Sequence, residues 1–155
     1  MKSFFFALTA TLMTLLSLSS CEGPETNVTI WETTISQAQW TNVDEDYFYQ
    51  VNCPIITSDV LDGNYLVSAS LYVDNQFWVA APYITAGSDY TETCQFVYNA
   101  TDAFLYAYSD DDITTIHESI SKCKVAVIEG LSGKKEWSIE EIEANPQLFN
   151  IVYIN

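Results

Sequence analysis

Apolar side chains recur at every second position through much of this 155-residue chain, and that period constrains the fold more than any other feature of the sequence. Successive side chains of a β-strand point to opposite faces, so a period of two predicts strands with one buried face. The segment 65–73 is a clear example: Val67 and Leu71 lie in one phase, and Ser68 lies in the other. No segment with a helical period separates the strands, which argues against a parallel α/β fold.

Turn residues divide the alternating pattern into about seven strands. Asp74 and Asn75 predict a two-residue hairpin turn, since Asp and Asn tolerate positive φ, and the segment 99–102 is expected to close another hairpin. The expected strands are 28–34, 47–53, 65–73, 76–84, 94–98, 104–108 and 122–130. This spacing predicts an all-β fold, an antiparallel β-sandwich of about seven strands that is Ig-like in outline.

The phase of the alternation also predicts which side chains share a face. The residues expected together are Tyr47, Tyr49, Val51 and Cys53 in one strand, Cys94, Phe96 and Tyr98 in a second, Phe104, Tyr106 and Tyr108 in a third, and Cys123, Val125 and Val127 in the last. In that last strand the side chains of Lys122 and Lys124 are expected to face out, whereas those of Cys123, Val125 and Val127 are expected to face the core.

The region after Gly130 has a different character. Ser138 and Glu141 have the Ser-x-x-Glu spacing of a capping box, which predicts a short C-terminal helix, and Pro146 ends it. The apolar segment 148–154 fits a final helical turn or an edge strand equally well, and both alternatives stay open.

The N-terminus has the outline of a signal peptide. Lys2 is followed by an apolar segment, 4–18, and then by Ser19, Ser20 and Cys21. The apolar segment is shorter than the roughly 20 residues that a membrane span needs. The ending resembles the cleavage box of bacterial lipoproteins, which implies that Cys21 becomes the lipidated first residue. The alternative is an ordinary secretory signal in which Cys21 is incidental.

Lipidation of Cys21 would make the membrane a partner of the chain, because buried acyl chains hold a soluble domain at a bilayer. The polar segment 22–25 reads as a tether, and its acidic residues resemble the surface-export signals of lipoproteins from gut bacteria. We therefore expect an outer-membrane lipoprotein at the cell surface, with a periplasm-facing orientation as the alternative. The expected division is residues 1–20 as signal peptide, 21–27 as lipidated N-terminus and tether, 28–129 as β-sandwich, and 130–155 as C-terminal loop, helix and tail.

Charge excludes several classes of partner. The chain has 21 acidic residues and five lysines, no arginine, and a net charge of −16. It therefore lacks the basic surface that nucleic-acid binding requires, and no nucleic-acid partner is expected. Hydrophobic residues make up 48% of the chain, which also excludes an acidic disordered protein.

The residues that could carry chemistry do not form a recognisable site. Cys53, Cys94 and Cys123 could form one disulfide with a leftover thiol or remain buried free thiols, and their wide spacing supports no metal site. His117 is the only histidine and is expected in an exposed loop.

The acid clusters 44–46 and 110–112 are contiguous, whereas a glycosidase needs two carboxyl groups that face each other across a cleft. The segment 59–64 lacks two ligands of a calcium loop. No catalytic residue, metal or cofactor is expected.

Aromatic residues are in surplus, with ten tyrosines, eight phenylalanines and four tryptophans. Exposed rings are typical of sugar-binding sandwiches and of protein interfaces. The candidates for ligand-binding positions are Trp31, Trp40, Phe48 and Tyr72. The alternative assigns Trp31, Tyr47, Phe77 and Trp78 to the core or to cross-strand pairs.

The order of four segments, 55–63, 65–72, 78–83 and 123–128, resembles that of a group of uncharacterised lipoproteins from gut bacteria. In that group Cys-Glu-Gly-Pro often opens a collagen-like Gly-Pro tract, of which only Gly23-Pro24 is present here. The resemblance implies export and a small β-sandwich, and no particular activity. We expect a non-enzymatic, lipid-anchored cell-envelope protein that binds a glycan or a protein. A structural envelope lipoprotein without a ligand is the alternative, and a hydrolase comes third.

Overall fold

The structure is a computed structural model that describes residues 26–44, 46–62, 65–86, 90–99, 102–109, 120–130 and 137–154. The expected signal peptide, the expected lipidation site Cys21 and most of the expected tether lie outside the described residues. Within them the chain is predominantly β, and two sheets pack face to face, which confirms the prediction of an all-β sandwich. None of the described helices is long and apolar enough to cross a membrane.

Ten strands and two short α-helices make up the described part of the chain. The strands are β1 (Thr26–Thr34), β2 (Thr41–Val43), β3 (Asp46–Val51), β4 (Tyr65–Val73), β5 (Phe77–Ala80), β6 (Tyr83–Ala86), β7 (Thr91–Tyr98), β8 (Ala103–Ser109), β9 (Ile120–Glu129) and β10 (Phe149–Ile154). The helices are α1 (Ser58–Asp62) and α2 (Ile139–Ala144), and 3-10 turns span Gln37–Gln39 and Pro146–Leu148.

Each sheet has five strands. The first sheet has the order β10-β1-β9-β4-β5 and the second the order β2-β3-β8-β7-β6. The expected single strand 76–84 is divided at Ala81-Pro82, because β5 pairs with β4 in the first sheet and β6 pairs with β7 in the second. Proline has no N–H to donate to a ladder, so the strand ends there and the chain changes sheet.

The C-terminal segment is an edge strand rather than a helical turn. β10 runs parallel to β1, with Thr26 opposite Phe149 and Trp31 opposite Ile154, and every other strand pair is antiparallel. This pairing extends β1 to Thr26, two residues before the expected start. The expected C-terminal region 130–155 therefore contributes β10 to the edge of the first sheet of the sandwich.

The first sheet is covered on both faces. In the central strand β9, Cys123 and Val125 face the second sheet, as predicted, and both are fully buried. Ala126 and Ile128 face the other way and pack against α2, whose Ile142 is also fully buried. The molecule thus has three layers: a short helix, the first sheet and the second sheet.

Local signals in the sequence place the turns and α2. Gln76 N–H donates to the carbonyl of Val73 at 3.0 Å, and Asp74 and Asn75 have φ of 51° and 54°, which confirms the predicted hairpin turn. The capping box also forms, since the N–H of Glu141 donates to Ser138 Oγ at 3.2 Å and the N–H of Ser138 donates to the Glu141 carboxylate at 3.2 Å.

Candidate functional site

The outer face of the second sheet carries a group of aromatic side chains. In β8 the small residues Ala103 and Ala107 are buried between the sheets, so the alternate positions point outward. Phe48 of β3 is opposite Tyr106 of β8 in the ladder and also points outward. We call the following four residues the aromatic face: Phe48, Phe104, Tyr106 and Tyr108.

Three of these rings form a continuous row across two strands. The ring centroids of Phe48 and Tyr106 are 4.9 Å apart with an interplanar angle of 34°, and those of Tyr106 and Tyr108 are 5.2 Å apart at 33°. Each such pair contributes about 0.5–1.5 kcal/mol beyond the burial of its area. The rings therefore hold one another in place, and each remains partly open to solvent.

Polar groups border the row. The Tyr106 hydroxyl donates to Asp46 Oδ2 at 2.7 Å, and Gln50 Nε2 donates to Asp102 Oδ1 at 3.3 Å. Gln95 of β7 lies opposite Tyr106 on its other side. The hydrogen bond to Asp46 raises the pKa of Tyr106, with smaller contributions from desolvation and from the Asp46 charge. Carboxylates and amides thus stand beside a row of rings.

The same face has open apolar edges. Ile84 of β6 is 63% exposed and Val43 of β2 is 49% exposed, and both lie in the outward phase of their strands. On the first sheet α2 covers the corresponding outer surface, whereas no described element covers the outer surface of the second. A cleft of about 230 Å³ adjoins this face, and Gln50, Cys53 and Asp102 contribute to its lining.

The four aromatic residues proposed from the sequence do not share one exposed face. Phe48 is the one member that belongs to the aromatic face. Trp31 is in the core and only 8% exposed, because the register of β1 on β9 places it opposite Val125 on the inner face. The expectation of an outward Trp31 is therefore wrong, and the core alternative for it is correct.

The other two candidates have structural contacts of their own. Trp40 is half-buried and packs on Tyr49 with a centroid distance of 5.6 Å. Tyr72 lies on the outer face of the first sheet, 5.1 Å from the ring of Trp78. That pair is capped by lysines, with Lys124 Nζ 4.6 Å from the Trp78 centroid. Trp40 and Tyr72 thus each pair with a single ring, whereas the aromatic face has three rings in a row that no described element covers.

Sequence reasoning missed the exposure of Phe104, Tyr106 and Tyr108. Both phases of β8 are apolar, so periodicity alone does not say which one is buried. The available signal is size: the residues Ala103, Leu105 and Ala107 form a phase of small and medium side chains that fits between two closely packed sheets.

The three cysteines described are free thiols. Cys94 and Cys123 are buried, and Cys53 is half-buried. Desolvation raises the pKa of Cys53 to about 11, against weaker opposing hydrogen bonds from the backbone, and burial also raises the pKa of Cys94 and Cys123. Such thiols stay protonated near neutral pH and act as small apolar side chains.

The remaining candidates for chemistry do not assemble into a centre. His117 and the cluster 110–112 lie outside the described residues. Asp46, from the other acid cluster, bonds to Tyr106. In the part of the chain that the structure describes, no group of three or more His, Cys, Asp or Glu side chains could hold a metal ion.

A buried carboxyl was not anticipated. Glu92 of β7 is 1% exposed and lies in the same inward phase as Cys94, whose pKa its charge helps to raise. The available signal is its position two residues before Cys94, in the phase that the alternation assigns to one face of this strand.

Comparisons of the chain with protein-family models, with curated proteins and with solved structures each found no match.

Proposed function

We propose that this chain is a non-enzymatic, lipid-anchored cell-envelope protein that binds a surface glycan through the aromatic face. Lipid on Cys21 would hold it at the outer membrane, and the sandwich would be displayed at the cell surface. The observation that carries the proposal is the row of Phe48, Tyr106 and Tyr108, which no described element covers.

The chemistry of the face suits a sugar. A pyranose ring has an apolar face of C–H groups and an edge of hydroxyls. Aromatic rings stack on the C–H face, and the neighbouring Gln50, Gln95 and Asp102 can exchange hydrogen bonds with the hydroxyls. The net charge of −16 disfavours a polyanionic chain, so an uncharged glycan is the expected ligand.

Binding of purified full-length protein, in detergent, to a panel of uncharged polysaccharides tests the proposal. Tyr106→Ala removes the central ring and is expected to weaken binding at least tenfold, which corresponds to about 1.4 kcal/mol. Tyr72→Ala, on the outer face of the other sheet, is the matched control and should leave affinity unchanged. Equal loss in both variants, or no binding across the panel, would count against a glycan site; binding of a protein instead would reassign the face.

A further inference from the structure

Among the strands that the structure describes, none adjoins one edge of the first half of β4. β5 pairs only with the second half, from Ser70 opposite Ala80 to Val73 opposite Phe77. The last contact is the N–H of Ala81, which donates to the carbonyl of Ala69 at 2.9 Å. The chain then leaves for the second sheet at Pro82, so no described strand pairs with this side of the segment 65–68.

The backbone of Val67 points into the space that β5 leaves. Backbone groups of alternate residues point to alternate sides of a strand. Since the carbonyl of Ala69 faces β5, the N–H and C=O of Val67 face the same side, whereas those of Leu66 and Ser68 face β9. Within the described residues, no group bonds to the main chain of Val67 on this side. As far as the described residues extend, one donor and one acceptor are therefore unpaired at this edge of the sheet.

A cleft of about 260 Å³ runs along this edge. The segment 66–69 forms one wall, and Pro82, Phe96, Tyr98 and Trp137 contribute the others. Phe96 and Tyr98 are stacked with centroids 5.8 Å apart, and Trp137 meets Phe149 edge to face at 5.3 Å, so the aromatic walls are supported. Proteins add an extended peptide to a sheet at an unpaired strand edge, where neighbouring clefts accept the peptide's side chains.

Charge around the cleft indicates the kind of peptide. None of the lining residues is charged. Glu129 is the β9 partner of Tyr65, with its carboxylate accepting from Asn27 Nδ2 on the β1 side, and Glu140 lies in the first turn of α2, three residues after Trp137. The chain as a whole has a net charge of −16. A positively charged segment is therefore attracted to this edge, and an acidic one is repelled.

We infer that the cleft binds an extended, lysine- or arginine-containing peptide, which adds as a strand beside β4 and places an apolar side chain against Tyr98 and Trp137. The cleft and the aromatic face present different aromatic side chains and share Gln95 of β7 at their border, so variants of Tyr98 and Tyr108, which each belong to one site, distinguish failure of the peptide site from failure of the glycan site.

The direct test is amide exchange at Val67, measured by NMR on the full-length chain in detergent. The probe is a blocked hexapeptide of alternating lysine and valine. Saturating peptide is expected to slow exchange of the Val67 amide at least tenfold, because that N–H becomes hydrogen-bonded. The same peptide methylated at every backbone nitrogen keeps its charge but cannot pair as a strand. If the methylated peptide binds equally well, or if Val67 exchange does not change, the attraction is only surface charge and the inference is overturned.

Variants locate the site independently. Val67→Pro removes the N–H that faces the cleft and leaves the β9-facing bonds of Leu66 and Ser68, so it should weaken peptide binding at least tenfold in fluorescence polarisation. If that variant does not fold, Tyr98→Ala supplies the test. Tyr98 and Tyr108 are 39% and 37% exposed, so Tyr108→Ala is its matched control. Tyr98→Ala should weaken peptide binding alone, and Tyr108→Ala glycan binding alone. If Tyr98→Ala binds the peptide with unchanged affinity, the inference is overturned. It is also overturned if the unliganded protein forms a dimer that Val67→Pro abolishes, because the occupant of the cleft is then a second copy of the chain.

Discussion

Tyr106 joins the two kinds of contact that make up the aromatic face. Its ring lies between those of Phe48 and Tyr108, and its hydroxyl donates to Asp46 at 2.7 Å. The hydrogen bond fixes the ring, and it also stabilises the neutral phenol over the phenolate. This second effect gives the residue a pH signature that a purely apolar contact would lack.

Tyr106→Phe keeps the ring and removes the hydrogen bond. We expect the free energy of unfolding at pH 7 to fall by about 1 kcal/mol, the usual net value of one hydrogen bond. The pKa of Tyr106 is raised in the fold, so this contribution is complete below the ordinary tyrosine pKa of 10.0 and is lost as the pH rises through the raised value. Urea unfolding of both proteins between pH 7 and pH 11 checks this. A difference that stays constant across that range would contradict the assignment of the hydrogen bond.

At the scale of single elements, α2 is held to the first sheet by more than its apolar side chains. Lys124 Nζ lies 3.0 and 3.1 Å from the two oxygens of Glu143 and 4.6 Å from the Trp78 centroid. The Lys124 side chain is 13% exposed. A second ion pair, Lys122 with Glu32 at 3.0 Å, lies on the same sheet, but its side chains are 45% and 37% exposed. Lys124 and Lys122 therefore allow a partly buried ion pair to be compared with an exposed one on the same sheet.

Lys124→Met is expected to lower the free energy of unfolding by about 1–2 kcal/mol, since it removes an ion pair with Glu143 and a cation–π contact together. Lys122→Met should cost less than about 1 kcal/mol, because solvent screens that exposed pair. Urea unfolding of both variants at the same ionic strength measures the difference. Equal losses would mean that burial of the Lys124 contacts adds nothing to the attachment of α2.

Elements whose signals are local were predictable from the sequence. The hairpin at Asp74-Asn75 and the capping box at Ser138 each depend on a few neighbouring residues with particular backbone preferences. The inward position of Cys123 and Val125 in β9 was also predicted, but the opposite phase, which was expected to face out, is covered by α2, so that Ala126 and Ile128 are buried and the Lys124 side chain is 13% exposed.

Elements that depend on distant partners could not be predicted from the sequence. β10 is a strand because β1 offers it a parallel edge more than a hundred residues earlier in sequence, and the apolar segment 148–154 has no feature that encodes this. For the same reason β8 has two apolar phases, and the choice between them is made by the close approach of the first sheet. The candidate site follows from that choice, so sequence reasoning identified only Phe48 among its four residues.

On the scale of the whole molecule, the two sheets have different outer surfaces. The first is covered by α2 and by lysine–aromatic contacts, whereas the second presents the aromatic face without a described cover. A sandwich held by one end at a membrane can present that face sideways to other envelope components. Access of a glycan to the proposed site would therefore depend on where the proposed anchor places the domain as well as on the rings themselves.

The proposed lipid anchor on Cys21 can be tested directly by a substitution. If lipid on Cys21 is the only attachment, Cys21→Ala should move the protein from the membrane pellet to the supernatant, because the acyl chains contribute about 0.8 kcal/mol for each buried methylene. Cys53→Ala is the matched control and should stay in the pellet, since its thiol is half-buried in the sandwich. Immunoblots of fractionated cells measure both. A Cys21→Ala protein that still pellets in full would mean that something other than the lipid, such as a partner of the sandwich, holds the chain at the membrane, and protease shaving of intact cells would then locate that contact.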